Sequence, residues 1–283
     1  MVGTFRILPQ VRGHRDIFAW SHGVRGTVAS AHRMVPFWYP SIVIWRTWSS
    51  DGAIADIRLR LHGPQPEAYT YSPQDAVELI GIAIAPEVAA LVLDVANHEV
   101  AGQIVDWTDE RFAEALAFAR GGAGSNAVAD AMARPMLKAL SDTDSADIDH
   151  AVRLIRRARG TGSLGAIRQR VEIGERQFRA RFKDRMGISA KSYSRLLRAN
   201  ALIAEADKTI SPSWADLSHR YGFFDQAHMI NDLRELTGRT PAQLDFERRS
   251  EVSDRHFDQH ALRLPAGLEN EWRRRRDSNP RYP

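Results

Sequence analysis

Cysteine is absent from the 283 residues. That absence removes disulfides, zinc–thiolate sites and thiol nucleophiles together, and it fits a reducing cytoplasm. Long apolar runs are also missing. The most apolar stretch, residues 77–95, is interrupted by Glu78, Pro86, Glu87 and Asp94, so it would not cross a bilayer cheaply. Residues 1–10 hold no apolar core of signal-peptide length. No membrane association is expected. There is no Gly-x-Ser-x-Gly elbow, no P-loop and no glycine-rich dinucleotide fingerprint. The histidines of the first half, His14, His22, His32, His62 and His98, include no two at a metal-pair spacing, so each reads as a surface or hydrogen-bonded residue. The expectation is a protein with no catalytic residue, metal site or cofactor.

What is present suits two domains. The apolar fraction of 43% is enough for two modest cores. Charge is uneven along the chain. Residues 1–145 carry 12 Lys/Arg against 16 Asp/Glu, and residues 146–250 carry 20 against 13. A mildly acidic first half beside a basic second half suggests a nucleic-acid domain in the second.

The first hundred residues read as short strands at 16–20, 41–48, 54–61 and 78–84, rich in Ile, Val and aromatics. Pro36, Pro40, Asp51-Gly52, Gly63-Pro64 and Pro73 punctuate them as turns do. From Glu87 the spacing becomes helical, at 87–93, 109–119 and 126–140, with a glycine-rich joint at 121–125. The polar run 141–145 marks the expected domain boundary. Trp38, Trp45 and Trp48, with Phe37 and Tyr39, read as core more readily than as a pocket lining.

After the boundary everything reads as helix. The segment 147–159 turns Ile148, Val152 and Ile155 to one side, and Gly160 and Gly162 end it. Ser163 caps a short helix to about Arg170. A second helix opens at Gly174 or Glu175 and stops at Gly187. A longer one covers 189–206. Then the pattern repeats: a capping box at Ser213–Asp216 opens a short helix, a tight turn follows Tyr221-Gly222, and a helix from Asp225 closes at Gly238. Thr240-Pro241-Ala242-Gln243 is a further capping box. Each short helix, turn and second helix has the shape of a helix-turn-helix.

At about 100° per residue, Phe178 and Phe182 mark the inner side of the first second-helix. Arg176, Ala180 and Lys183 then face outward, with Arg179 at the flank. In the repeat, Met229, Leu233 and Leu236 mark the core. Ala227, Ile230, Asn231 and Arg234 face out, with Gln226 at the leading edge. Arginine bonds guanine bidentately, Gln and Asn pair with adenine, and Ile or Ala touches a thymine methyl. His228 sits at the edge of this face and reads as a packing or hydrogen-bonding residue within the domain.

These residues carry a family likeness. Residues 174–189 (GERQFRARFKDRMGIS) and 221–241 (YGFFDQAHMINDLRELTGRTP) resemble the two recognition segments of the AraC/XylS family of transcriptional regulators. The likeness covers about 100 residues. It implies an all-α domain that inserts two helices into successive major-groove segments of double-stranded DNA. The family's base-reading positions fall on Arg176, Arg179, Ala180, Gln226, Ala227, Ile230 and Asn231. There are departures: Ala180 and Asn231 stand where the family often has arginine, Leu233 where it has phenylalanine, and Ala190 where it has proline. Alkyltransferases that share this domain need a reactive cysteine, which this chain lacks.

Three segments of the first half, His62-Gly63-Pro64, 80–86 and 88–93, resemble a cupin-like sensor domain. The fold expected is therefore α+β in residues 1–140, a cupin-like β-rich core plus helices that binds an effector or forms a homodimer. An all-α DNA-binding domain with two helix-turn-helix motifs is expected at 146–250. Activation is the usual family role, which brings RNA polymerase in as a partner. A nonspecific architectural DNA binder, and a small-molecule enzyme with an incidental basic domain, remain as alternatives. Residues 251–283 are placed outside the fold. Their arginine run at 273–276 could form a DNA-binding arm, but it reads better as the translated flank of a transfer-RNA gene.

Overall fold

The computed structural model describes residues 4–8, 16–24, 32–34, 36–71, 76–141, 147–206, 208 and 211–249. The expected boundary at 141–145, all but its first residue, and the tail at 251–283 lie outside these described residues.

The first half is an antiparallel sheet with helices on one face. Six strands, β1 (Thr4–Leu8), β2 (Ile17–Val24), β4 (Ser41–Trp48), β5 (Ile54–His62), β7 (Ala76–Ile84) and β8 (Ile104–Asp106), lie in the order β1-β2-β7-β4-β5-β8. A separate ribbon pairs β3 (His32–Met34) with β6 (Tyr69–Tyr71). The four strands read from the sequence form the centre of the large sheet. The short ones, β1, β3, β6 and β8, were not anticipated. The hairpin β4–β5 closes at the expected Asp51-Gly52 turn, with Ser49 N donating to Ala53 O at 2.9 Å.

Register assigns the two faces of this sheet, because side chains alternate along each strand. Ile42, Ile44, Ile80 and Ile82 share one face and are fully buried. Over that face lie α2 (Ala113–Arg120) and α3 (Ser125–Ser141). Arg46, on the same face, pairs with Glu78 and donates to Ala123 O at 2.8 Å. The other face carries Trp20, Val43, Trp45, Leu79 and His62. The expected helix at 109–119 is split, a 3-10 turn at Glu110–Phe112 preceding α2. Helix α1 (Pro86–Leu93) begins with proline in its first turn, where no backbone donor is needed.

The second half is all helix: α4 (Asp147–Arg157), α5 (Leu164–Arg170), α6 (Glu175–Met186), α7 (Ala190–Ala206), α8 (Trp214–Arg220), α9 (Gln226–Thr237) and α10 (Pro241–Arg249). Two apolar clusters fill it. The first gathers Ile148, Val152, Ile155, Phe178, Phe182 and Tyr193, and the second gathers Leu202, Leu217, Phe223, Met229 and Leu233. Helix α7 contributes to both, with Tyr193, Leu196 and Leu197 to the first and Leu202, Ile203 and Ala206 to the second. Its start holds without a proline at position 190, since Ser189 Oγ accepts from Ser192 N at 3.0 Å. No helix among the described residues is long and apolar enough to cross a membrane.

Candidate nucleic-acid interface

The first helix-turn-helix is α5, a turn, and α6. Ser163 Oγ accepts from Ala166 N at 3.3 Å and caps α5. Phe178 and Phe182 lie inside with ring centroids 5.6 Å apart, and Phe182 meets Tyr193 of α7 at 6.1 Å. Burying that side commits the other to solvent. Arg176, Arg179, Ala180 and Lys183 are all exposed on it. Arg179 forms an exposed pair with Glu175 at 2.5 Å.

The second unit is α8, a turn, and α9. Ser213 Oγ accepts from Asp216 N at 3.3 Å, and the Asp225 carboxylate accepts from His228 N at 2.7 Å. The Thr240–Gln243 box is reciprocal: Gln243 N donates to Thr240 Oγ1 at 3.3 Å, and Thr240 N to Gln243 Oε1 at 2.9 Å. On α9, Gln226, Ala227, Asn231 and Arg234 are exposed. Ile230 differs from the outward placing expected of it. It is half-buried and packs against the second cluster. It follows Met229 by about 100° of helix rotation, at the margin of the inner face. His228 packs edge-on to Phe223 at 5.6 Å and accepts from Phe224 N at 3.5 Å.

Each of these two helices is locked by a charged anchor on its inner side. Arg185 of α6 holds Asp149 of α4 bidentately, both bonds 3.1 Å long. Asp232 of α9 is held by Arg195 at 2.8 Å and Arg198 at 3.1 Å, both from α7. Arg198 also lies over the Phe223 ring at 4.2 Å. Paired and hydrogen-bonded charges of this kind fix orientation more than they add stability.

The first half grips the same two helices at their C-terminal ends, where carbonyls lack intrahelical donors. Trp38 Nε1 donates to Met186 O at 3.0 Å, Asn97 Nδ2 to Arg185 O at 3.2 Å, and Ala68 N to Leu236 O at 3.3 Å. Gly187 closes α6 at φ 77°, and a Cβ there would meet His98 N at 2.9 Å, so both backbone and space favour glycine. Trp38 is thus a core residue of the helical half rather than a neighbour of Trp45 in a pocket. The open sides of α6 and α9 carry the exposed residues along their length, from Arg176 to Lys183 and from Gln226 to Arg234. The sequence reading did not find Trp38, Asn97, Glu87 or Arg156 as joints between the halves, and it gave Phe224 no role.

Residues 167–245 match a family model described as a helix-turn-helix domain. No curated protein matches at a significant level. Among solved structures, ToxT from Vibrio cholerae O395 aligns at 10% identity and TM-score 0.42, covering 78% of this chain and 97% of ToxT. A P21 crystal form of Vibrio cholerae ToxT aligns at 8% identity and TM-score 0.46, covering 83% and 100%. ToxT bound to (E)-4-(8-methylnaphthalen-1-yl)but-3-enoic acid gives 8% identity and TM-score 0.43, covering 82% and 99%. Over residues 167–245, in its helical half, the chain therefore carries a helix-turn-helix domain.

Proposed function

We propose that this protein is a sequence-specific transcriptional activator that reads double-stranded DNA with α6 and α9 and responds to a small molecule through its first half. The observation that carries the reading is the pairing of two anchored helices on one linker, α7, each with polar or basic residues on its open side. Arg176, Arg179 and Lys183 supply the first helix, and Gln226, Asn231 and Arg234 the second. Bidentate arginine contacts favour guanine, and Gln and Asn favour adenine. Ala180, Ala227 and the half-buried Ile230 complete the set as apolar neighbours.

In this reading residues 146–250 are the DNA-binding domain and residues 1–140 the sensor or dimerising domain of a cytoplasmic regulator that works on RNA polymerase. The sheet face carrying Trp45 is the place assigned to the effector. Trp45 donates to His62 Nε2 at 2.8 Å, and the Arg60 guanidinium lies 4.6 Å from the Trp45 ring, so the face combines aromatic surface with polar groups suited to a small ligand.

Selection of bound duplexes from random-sequence DNA, using the whole chain, tests the reading. An enriched site is expected, with two segments about one helical turn apart. Its affinity should exceed that of a scrambled duplex by about a thousandfold or more at physiological salt. Equal binding to selected and scrambled DNA would replace this reading with that of a nonspecific architectural protein.

A further inference from the structure

The two helix-turn-helix units share a serine cap on the first helix and a charged anchor on the second, but not their turns. Three residues separate α5 from the cap Gly174, and four separate α8 from the cap Asp225. In the first unit the residue just before the cap is Ile173. It is 7% exposed and joins the cluster that holds Phe178, four positions into the helix. That is a hydrophobic staple. In the second unit Phe223 takes the inward place, 6% exposed and clustered with Met229. Phe224, just before the cap, is then turned out and is 92% exposed.

The backbone that presents Phe224 is held firmly. Phe223 N donates to Ser218 O at 3.0 Å, and Ser218 Oγ donates to Asp225 O at 3.0 Å. Phe224 N itself points at His228 Nδ1, 3.5 Å away. A side chain this exposed contributes little to folding, and its own unit has already filled the inward place with another phenylalanine. Its location is the leading end of α9, one residue ahead of the cap Asp225 and two ahead of Gln226. That is the end by which a recognition helix of this motif meets base edges. A phenylalanine has no hydrogen bond to offer there. What it can recognise in the major groove is the 5-methyl group of thymine.

We propose that Phe224 is a specificity-determining residue that packs on a thymine 5-methyl group beside the bases read from Gln226 and Ala227. The inference rests on the proposed reading of α9 as a major-groove helix.

The test replaces each thymine of the selected duplex, in turn, by deoxyuridine, which removes only the methyl group. The duplexes are titrated with the full-length protein and with Phe224→Ala. At one position uracil should weaken wild-type binding about threefold to tenfold, the size expected for one lost apolar contact. The variant should bind the thymine and uracil duplexes at that position alike, at the wild-type level for uracil, with an unchanged melting temperature. The proposal is overturned if every uracil penalty persists in Phe224→Ala. It is overturned equally if the variant binds the selected duplex as wild type does, which would make Phe224 a protein-contact residue. An equal loss on selected and scrambled duplexes, the mark of a backbone contact, also overturns it. If the wild-type chain fails to distinguish selected from scrambled DNA, the functional reading itself falls, a result separate from all of these.

Discussion

Glu87 and Arg156, one from each half of the chain, face each other at 2.9 Å with both side chains shut off from solvent. Arg156 also reaches the Tyr39 hydroxyl at 3.5 Å. Burial pushes the Glu87 carboxyl above its ordinary range, and the guanidinium pulls it back. Burial alone would weaken the charged form of Arg156, but Tyr39 and Glu87 outweigh it and hold the group charged. The pair therefore ties α1 to α4, and with it the first half to the base of the first helix-turn-helix.

Removing one member should be costly. Glu87→Ala leaves a guanidinium in the interior without its carboxylate, and a loss of about 3–5 kcal/mol is expected in urea unfolding. Replacing both, as Glu87→Leu with Arg156→Met, should cost much less, because no charge is then stranded. A loss below about 1 kcal/mol for Glu87→Ala would show that water reaches the joint.

A pH dependence follows from His62. Burial, and then the nearby Arg60 charge, push its imidazole down to about 3. A depressed histidine stays neutral in the fold while the unfolded chain takes up a proton below about pH 6.5. Its contribution is thus intact above pH 6.5 and is lost as pH falls toward 3. The residue as a whole is half-buried, so solvent screening discounts the full effect. The expected loss between pH 7.5 and pH 5 is about 1–2 kcal/mol. His62→Gln retains an acceptor for Trp45 and should remove that part of the slope. An identical slope in the variant would mean that the imidazole protonates freely in the fold.

The turn of the first unit stores a small strain. Glu172 lies at φ 54°, where the matching position of the second unit is Gly222 at φ 68°. A left-handed conformation costs an ordinary residue about 1–2 kcal/mol, and glycine's greater freedom when unfolded returns about half of that. Glu172→Gly should stabilise the protein by about 0.5–1 kcal/mol. A lowered melting temperature would show that the glutamate has a compensating partner.

The helical half was legible because its signals are local. Caps at Ser163, Ser213, Asp225 and Thr240, and stops at Gly187 and Gly238, each act within one helical turn. Phe178, Phe182, Met229 and Leu233 then mark the inner side by period alone. The short strand β8 has three residues, too few to show alternation. Trp38 seemed to belong with Trp45 and Trp48 because they are close in sequence. Its partner, the Met186 carbonyl, lies 148 positions away, and no local pattern encodes such a distance. Phe223 and Phe224 are alike as residues. Which one turns inward depends on the length of the turn, and only the folded backbone decides it.

Arg176 and Arg179 are both exposed, but Arg179 is paired with Glu175 on the same helix. An exposed pair of this kind is worth about 0.2–1 kcal/mol, so DNA can displace it. If both arginines reach base edges, each Arg→Ala change should cost about 1–3 kcal/mol on the selected site and much less on a scrambled duplex. Glu175→Gln should act differently. It removes a negative charge beside the phosphates and frees Arg179, so it should tighten binding to both duplexes. Phe182→Ala serves as the contrast, lowering stability by about 3–5 kcal/mol through a core cavity. The measurement is a titration of each variant against both duplexes at two salt concentrations. Equal losses for Arg176→Ala and Arg179→Ala on the two duplexes would make α6 a backbone clamp and leave base reading to α9.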